Sequence, residues 1–136
     1  MATLILGETH KDNRGVLKYN IKFDLSPVKR MYLIENIDEK FIRCWQGHKK
    51  QQRWFSAVSG KFKIDLIKID NWEKPSKELK KNTFEISDKN SDVLHVPKGY
   101  VSSIQSLVKS SRLLVMADYT MNEIQDEFKF SPDFFK

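Results

Sequence analysis

Short apolar segments separated by turn residues dominate this chain. In Phe62–Ile69, the residues Phe62, Ile64 and Leu66 alternate with polar ones, which predicts a strand with one buried and one wet face. The alternation slips at Leu66-Ile67, where we expect a β-bulge. The other segments that we predict as strands, from their β-branched and aromatic content, are Leu4–Leu6, Val16–Ile21, Met31–Ile34, Phe41–Trp45, Trp54–Val58, Thr83–Ile86, Val93–Val96, Ile104–Leu107 and Leu113–Ala117.

The connections between these segments support an all-β fold. Turn-forming residues stand between strands, for example at Asn13–Gly15 and Ser59–Lys61. Leu113–Ala117 is apolar throughout, as expected for a strand covered on both sides, and the polar stretch Asn71–Lys81 has room for one helical turn. No long amphipathic helix is indicated. An antiparallel sheet of about ten strands must hide its edges, so we expect a closed barrel or a sandwich.

Length and composition limit the kind of protein. With 136 residues, 40% of them hydrophobic and 31% charged, the chain fits a single globular domain over residues 1–136. No apolar run approaches the ~20 residues that span a bilayer, and the first residues lack the basic start of a secretory signal. Cys44 is the only cysteine, so an internal disulfide is impossible. We therefore expect a cytoplasmic protein without a membrane partner.

The net charge of +6 favours an anionic partner. The basic residues are spread along the chain, and pairs such as Lys49-Lys50 are too short for a nucleic-acid-binding arm. With no recognition helix or zinc finger, we expect no nucleic acid partner, and a solvated surface accounts for most of the basic residues.

The residue patterns at both ends of the chain indicate that these segments make contacts. The C-terminal segment carries Phe128, Phe130, Phe134 and Phe135, a density that predicts docking onto the body or a partner subunit. The N-terminal strand Leu4–Leu6 is available to pair across a homodimer, since an unpaired strand edge is a liability.

The most informative stretch runs from Arg43 to Gly60, and it resembles the first motif of the cupins. There a His-x-His pair, an acidic residue and a later histidine hold a metal, and the matching positions here are Gln46, His48, Arg53 and Ser102. One imidazole beside a permanent cation cannot hold a divalent ion, so we expect neither a metal nor another cofactor.

Within the metal-free cupins, the chain resembles the dTDP-sugar 3,4-ketoisomerase family and, more distantly, the dTDP-4-dehydrorhamnose 3,5-epimerases. The resemblance rests on segments that occur in the expected order along nearly the whole chain: Asp12–Gly15, Lys29–Ile34, Arg43–Lys50, Val58–Gly60 and Leu113–Tyr119. It implies a cupin, or double-stranded β-helix (jelly-roll), barrel. It also implies a nucleotide-sugar ligand and an enediol-type proton transfer on a dTDP-linked 4-keto-6-deoxy sugar.

The resemblance also implies a set of site residues. His48 and Tyr32 would be catalytic, while the substrate-binding residues would be Arg43, Gln46, Arg53, Tyr100 and Tyr119. The family's first motif histidine is Gln46 here, and an amide orients a substrate but cannot shuttle protons.

Other interpretations compete with this one. Gln46 and His48 could be a polar pair at a strand end, and Arg43 points away from His48 if the strand is regular. His95 fits a satisfied core or interface histidine, and His10 fits a solvated one. The protein could accordingly be a non-catalytic nucleotide-sugar-binding cupin, or an interaction module whose main role is dimerisation.

Overall fold

The alternating segments form strands, and the strands form two layers. The computed structural model describes residues 1–135, and within them the chain has no helix. The twelve strands are β1 Thr3–Ile5, β2 Glu8–Asp12, β3 Gly15–Tyr19, β4 Arg30–Ile34, β5 Ile42–His48, β6 Arg53–Ser59, β7 Lys61–Lys68, β8 Lys81–Ser87, β9 Val93–Val96, β10 Tyr100–Ser106, β11 Arg112–Ala117 and β12 Phe128–Lys129.

Two antiparallel five-stranded sheets pack on each other. The first has the strand order β1-β9-β6-β11-β4 and the second β12-β5-β10-β7-β8, while β2 and β3 form a separate hairpin. The core between the sheets consists of side chains at alternate strand positions, such as Phe55, Phe62, Leu94 and Val115. The all-β class predicted from alternation is thereby confirmed.

The expected bulge at Leu66-Ile67 is wrong. Both residues pair in regular register with β10, and both are buried because β7 is covered on its two faces. Leu66 belongs to the core between the sheets, whereas Ile67 packs under the segment that follows β7 and under the C-terminal tail. The slip in alternation therefore reflects two covered faces rather than an extra residue.

A β-bulge occurs instead on β5, and it changes the direction of Arg43. Gln46 lies opposite Ser102 on β10, yet Arg43 lies opposite Ile104, so one more residue stands on β5 than on β10. Residues opposite each other in a ladder share a face of the sheet. The strand is therefore not regular at this point, and Arg43 lies on the same face as Gln46.

The outer face of the second sheet carries the aromatic tail. Phe135 is 6% exposed and meets Trp45 edge-on at 5.4 Å between ring centroids, so the predicted docking of the tail is confirmed within this chain. Gly47 allows Trp72 to lie close to β5, since a Cβ there would come within 2.8 Å of the indole. The Asn71–Lys81 stretch that contains Trp72 has no helical turn, contrary to the expectation.

The N-terminal strand is not free. Its residues Thr3–Ile5 pair with β9 of the same chain, and β1 lies at the edge of the first sheet. The hairpin strand β2 and the short β12 were missed from sequence because their residues do not alternate between apolar and polar.

Candidate functional site

The site lies at the end of the sandwich where β5 ends and β6 begins. His48 is the last residue of β5 and lies opposite Tyr100, a core residue, so its side chain is on the face toward the other sheet. Arg53 is the first residue of β6 and lies opposite Val96, another core residue. Only the turn of residues 49–52 separates them, and the turn brings the imidazole and the guanidinium together between the sheets.

Three side chains form what we term the His48 cluster: His48, Arg53 and Tyr32. The Nη2 atom of Arg53 is 3.5 Å from Nδ1 of His48. Tyr32 lies opposite Val115 of β11, so it faces inward as well, and its phenol approaches the Arg53 guanidinium. Arg30 lies on the same face of β4, with its guanidinium carbon 5.4 Å from the centroid of the Tyr32 ring.

The cluster is electrostatically unusual because two of its ionisable side chains are buried. His48 is 8% and Arg53 4% exposed. Burial, together with the neighbouring Arg53 charge, lowers the pKa of His48 to about 4, so the imidazole is neutral near pH 7. Burial also lowers the pKa of Arg53, and the nearby Tyr32 phenol opposes that shift. A neutral imidazole, a buried cation and a phenol thus face the same space.

Hydrogen bonds orient the guanidinium. The side-chain oxygen Oε1 of Gln51 accepts from Nη1 of Arg53 at 2.7 Å, and the main-chain oxygen of Gln52 accepts from the same atom at 3.3 Å. Gln51 is itself buried. These contacts hold Arg53 in one direction, so that its charge acts on a fixed point of the site.

The remaining predicted substrate-binding residues lie at different distances from the cluster. Gln46 faces inward beside Ser102, whose hydroxyl donates to the Gln46 main-chain oxygen at 3.5 Å, and Tyr100 lies directly opposite His48. Tyr119 is connected to Arg30 through its main-chain oxygen, which accepts a hydrogen bond from Nε of Arg30 at 3.1 Å. Arg43 contacts Asn36 and the ring of Phe41 rather than the cluster.

The other two histidines lie outside the cluster. His95 faces away from the core, stacks on Trp54 at 5.3 Å and shares a 2.7 Å hydrogen bond with Gln52. It is the satisfied histidine that the sequence predicts. His10 is exposed on the hairpin, as predicted.

Two cavities border this end of the sandwich. One of about 520 Å³ is lined by Arg30, Gln51, residues 120–122 and residues 124–128, and one of about 770 Å³ is lined by Tyr100, Lys68 and Phe84 among others. Both volumes are in the range of small-molecule sites. Within residues 1–135 no three His, Cys, Asp or Glu side chains are grouped so that they could hold a metal ion.

Sequence reasoning missed several residues of the site. Arg30 could have been found, because it stands two positions before Tyr32 and side chains two apart on a strand share a face. Asp118 and Asp126 carry no such signal. They bond the turn between β5 and β6 from a segment far along the chain.

Comparisons with known proteins identify the class to which this fold and site belong. The architecture is that of the cupin-like sugar-nucleotide isomerases and epimerases. A family model described as WxcM-like, C-terminal (FdtA) matches residues 3–132, and the chain belongs to this family.

Solved structures agree with that assignment. A mutant of the 3,4-ketoisomerase QdtA from Thermoanaerobacterium thermosaccharolyticum, in complex with TDP-4-keto-6-deoxyglucose, is 26% identical with a TM-score of 0.70, covering 93% of this chain and 86% of that one. The WlaRB TDP-quinovose 3,4-ketoisomerase from Campylobacter jejuni is 20% identical with a TM-score of 0.69, over 92% and 90% of the two chains.

The Mycobacterium tuberculosis rmlC epimerase shares the fold as well. It is 16% identical with a TM-score of 0.75, over 94% of this chain and 68% of the other. These likenesses confirm the predicted cupin-like fold. Among curated proteins, no significant match to the sequence was found. Within residues 1–135 no helix is long and apolar enough to cross a bilayer.

Proposed function

We propose that this protein is an isomerase or epimerase that acts on a dTDP-linked 4-keto-6-deoxy sugar without a metal, at the His48 cluster. The observation that carries the proposal is the contact between a neutral, buried imidazole and a buried guanidinium in a chain of this family. The related QdtA structure contains a TDP-linked 4-keto-6-deoxy sugar. An enolisable ketone of that kind needs a base and a stabiliser of negative oxygen, and the cluster offers both.

The reaction would proceed through an enediol. A base takes the proton from the carbon next to the ketone, and the electron pair of that C–H bond forms the C=C bond while the carbonyl oxygen becomes negative. Protonation of the former carbonyl carbon, with passage of the hydroxyl proton between the two oxygens, moves the ketone by one carbon. Protonation of the original carbon from its other face inverts it instead. Both outcomes conserve all atoms.

The residues of the cluster divide these tasks. His48 is neutral near pH 7 and accepts the carbon-bound proton, and the imidazolium that results beside Arg53 is strongly acidic and returns it readily. Arg53 stabilises the negative oxygen of the enediolate. The Tyr32 phenol, which lies beside Arg53, exchanges the second proton. Gln46 orients the sugar by hydrogen bonds.

The nucleotide half would occupy the cavity of about 520 Å³ next to the cluster. Arg30 lines this cavity and supplies a cation for the diphosphate. Tyr119, tied to Arg30 through its main chain, offers a ring for the thymine. Tyr100 and Arg43 remain candidates for further substrate contacts, Arg43 from the other end of β5.

The direct test is proton exchange with solvent. The protein is incubated with dTDP-4-keto-6-deoxyglucose in D₂O, and NMR follows deuterium at the carbons flanking the ketone as well as the new sugar. We expect incorporation at one of these carbons. Absence of incorporation with every 4-keto dTDP-sugar tried would reject the enzymatic function.

A non-catalytic nucleotide-sugar-binding protein is the second candidate, and Gln46 favours it because it replaces the family's first motif histidine. Titration with dTDP separates both candidates from a pure interaction module, since a ligand of the folded state raises the melting temperature. The variant Gln46→His then separates them from each other. If only Gln46→His incorporates deuterium, the natural chain is the binding protein.

We also propose a homodimer. Apolar side chains on edge strand β4 and on the hairpin remain exposed: Met31 by 72%, Leu33 by 52% and Leu17 by 60%. Exposed apolar side chains on the open edge strand β4, and separately on the hairpin, favour a protein partner over water. Sedimentation equilibrium at micromolar concentration tests this, and a monomer there would reject it. The single domain and the cytoplasmic location stay predictions.

A further inference from the structure

The turn that joins His48 to Arg53 is held from outside by the carboxylate of Asp126. Its Oδ1 accepts from the main-chain N–H of Lys49 at 2.9 Å, its Oδ2 accepts from that of Gln51 at 2.8 Å, and both oxygens accept from Lys50. Asp126 is only 3% exposed. A buried carboxylate is tolerated where hydrogen bonds replace its water, and here three consecutive amides do so.

The next amide of the same turn bonds to a second carboxylate. Oδ1 of Asp118 accepts from the main-chain N–H of Gln52 at 2.9 Å, and its Oδ2 accepts from the Gln52 side chain at 3.1 Å. Every amide from Lys49 to Gln52 is therefore occupied by the segment that follows β11. The Gln51 amide is buried, so a protein group rather than water must satisfy it, and the two carboxylates also fix the path of the turn.

Asp126 also contacts the imidazole directly. Its main-chain oxygen lies 3.1 Å from Nδ1 of His48. A carbonyl oxygen only accepts hydrogen bonds, so this contact requires the proton on Nδ1. Arg53, which only donates, lies further from the same nitrogen, at 3.5 Å. The shorter contact decides the tautomer, and it leaves the lone pair on Nε2.

We propose that Asp126 is a positioning residue, which holds His48 as the Nδ1–H tautomer and thereby makes Nε2 the proton-accepting atom. Its carboxylate fixes the turn, the turn fixes the end of β5, and its carbonyl fixes the ring. The catalytic consequence rests on the proposed function, whereas the tautomer does not.

The tautomer is measured first in the unaltered protein. The chain has three histidines, so ¹⁵N–¹H correlation spectra of the rings are simple, and His48→Asn and His95→Gln identify the resonances. We expect His48 to show a protonated Nδ1 and an unprotonated Nε2 at pH 7. A protonated Nε2 would overturn the proposal, whether or not the protein is an enzyme.

The role of the carboxylate is measured with Asp126→Asn. The side-chain NH₂ group of asparagine is a donor and cannot accept hydrogen bonds from the main-chain N–H groups of the turn. The turn therefore loosens, and we expect the Nδ1–H signature of His48 to be lost or mixed. The matched control is Asp133→Asn, the same substitution at an exposed aspartate of the C-terminal tail, outside the cavity proposed for the nucleotide. It should leave the spectrum unchanged. Retention of the Nδ1–H form in folded Asp126→Asn contradicts the proposal.

Kinetics connect the tautomer to catalysis. Misplacement of a reacting group by about 1 Å costs about 100-fold, so kcat of Asp126→Asn, measured at saturating substrate, should fall by that order. Because Asp126 also lines the cavity proposed for the nucleotide, dTDP affinity is not the readout, and an unchanged kcat at saturation would reject a positioning role. If the spectra behave as expected and no sugar turns over, the positioning of His48 stands and the proposed reaction fails.

Discussion

The Nη2 atom of Arg53 lies 3.5 Å from Nδ1 of His48, with both side chains buried between the two sheets. Burial and, after it, the neighbouring permanent cation disfavour the imidazolium and lower the pKa of His48, so His48 stays neutral near pH 7. The same guanidinium is available to a negative oxygen on a bound sugar. The contact therefore connects the protonation state of the base with the stabilisation of the intermediate.

His48→Asn tests the proton transfer. Asparagine is polar and of similar reach but exchanges no proton in the working range, so turnover should fall by the ~10²–10⁴-fold typical of lost acid–base catalysis. Deuterium incorporation measures turnover and calorimetry measures dTDP binding, which should persist. His10→Asn, in the exposed hairpin, is the control and should keep full activity. Exchange by His48→Asn at the unaltered rate would assign the base to a tyrosine.

Arg53→Gln tests the electrostatic coupling. Removal of the cation should raise the pKa of His48 from about 4 toward its ordinary value, because the imidazolium loses a repelling neighbour. The pKa is read from an NMR pH titration of the His48 ring. Arg112→Gln removes an exposed arginine and should leave that pKa in place. An unchanged pKa in Arg53→Gln would mean that burial alone depresses it.

The depressed pKa of His48 makes stability depend on pH. His48 binds a proton below about pH 6.5 in the unfolded chain but only below about pH 4 in the folded chain. The free energy of unfolding therefore has its full value above pH 6.5 and decreases as the pH falls toward 4. The difference in pKa corresponds to about 3 kcal/mol. Urea unfolding between pH 7.5 and 4 should show a correspondingly weaker pH dependence for His48→Asn, with the other titrating groups cancelling in the comparison. If the free energy of unfolding fell equally with pH in the unaltered protein and in His48→Asn, the imidazole of His48 would not be buried and neutral.

Phe135→Ala tests the docked tail. Phe135 packs edge-on against Trp45 and is surrounded by Phe130 and Phe134, so its loss should cost about 3 kcal/mol of unfolding free energy. Phe41→Ala, at a side chain 43% exposed, should cost less than about 1 kcal/mol. Urea unfolding followed by tryptophan fluorescence measures both. Equal effects would show that the tail does not pack on Trp45 in solution.

Metal content provides the last prediction. The cupin ligand positions are occupied by Gln46, Arg53 and Ser102 beside one histidine, so neither Zn, Fe nor Mn should co-purify in stoichiometric amount. Elemental analysis of purified protein should find far less than one ion per chain, and treatment with EDTA should not alter turnover. About one bound metal per chain would require a different site.

The residue pattern predicted the bounds of the core strands better than the ends of the strands that reach the site. Val93–Val96 agrees with β9, and Leu113–Ala117 differs from β11 only by Arg112, since burial on fixed faces leaves a strong apolar pattern. β5 extends further than predicted, through Gln46 and His48, because polar residues that face a site break the apolar alternation. For the same reason, the sequence did not predict the first half of β10, from Tyr100 to Ser103.

By itself, the sequence determined the all-β class, the buried face of β7, the shared face of Gln46 and His48, and the motif that brings His48 and Arg53 to one turn, because side-chain direction alternates with a period of two along any strand. Only the tertiary structure decided what surrounds them. The bulge that turns Arg43 depends on pairing with β10, and Tyr32 meets Arg53 because β4 and β6 both flank β11. Asp126 reaches His48 across 78 positions of the chain. Such contacts follow from strand order and loop path, which local alternation does not encode.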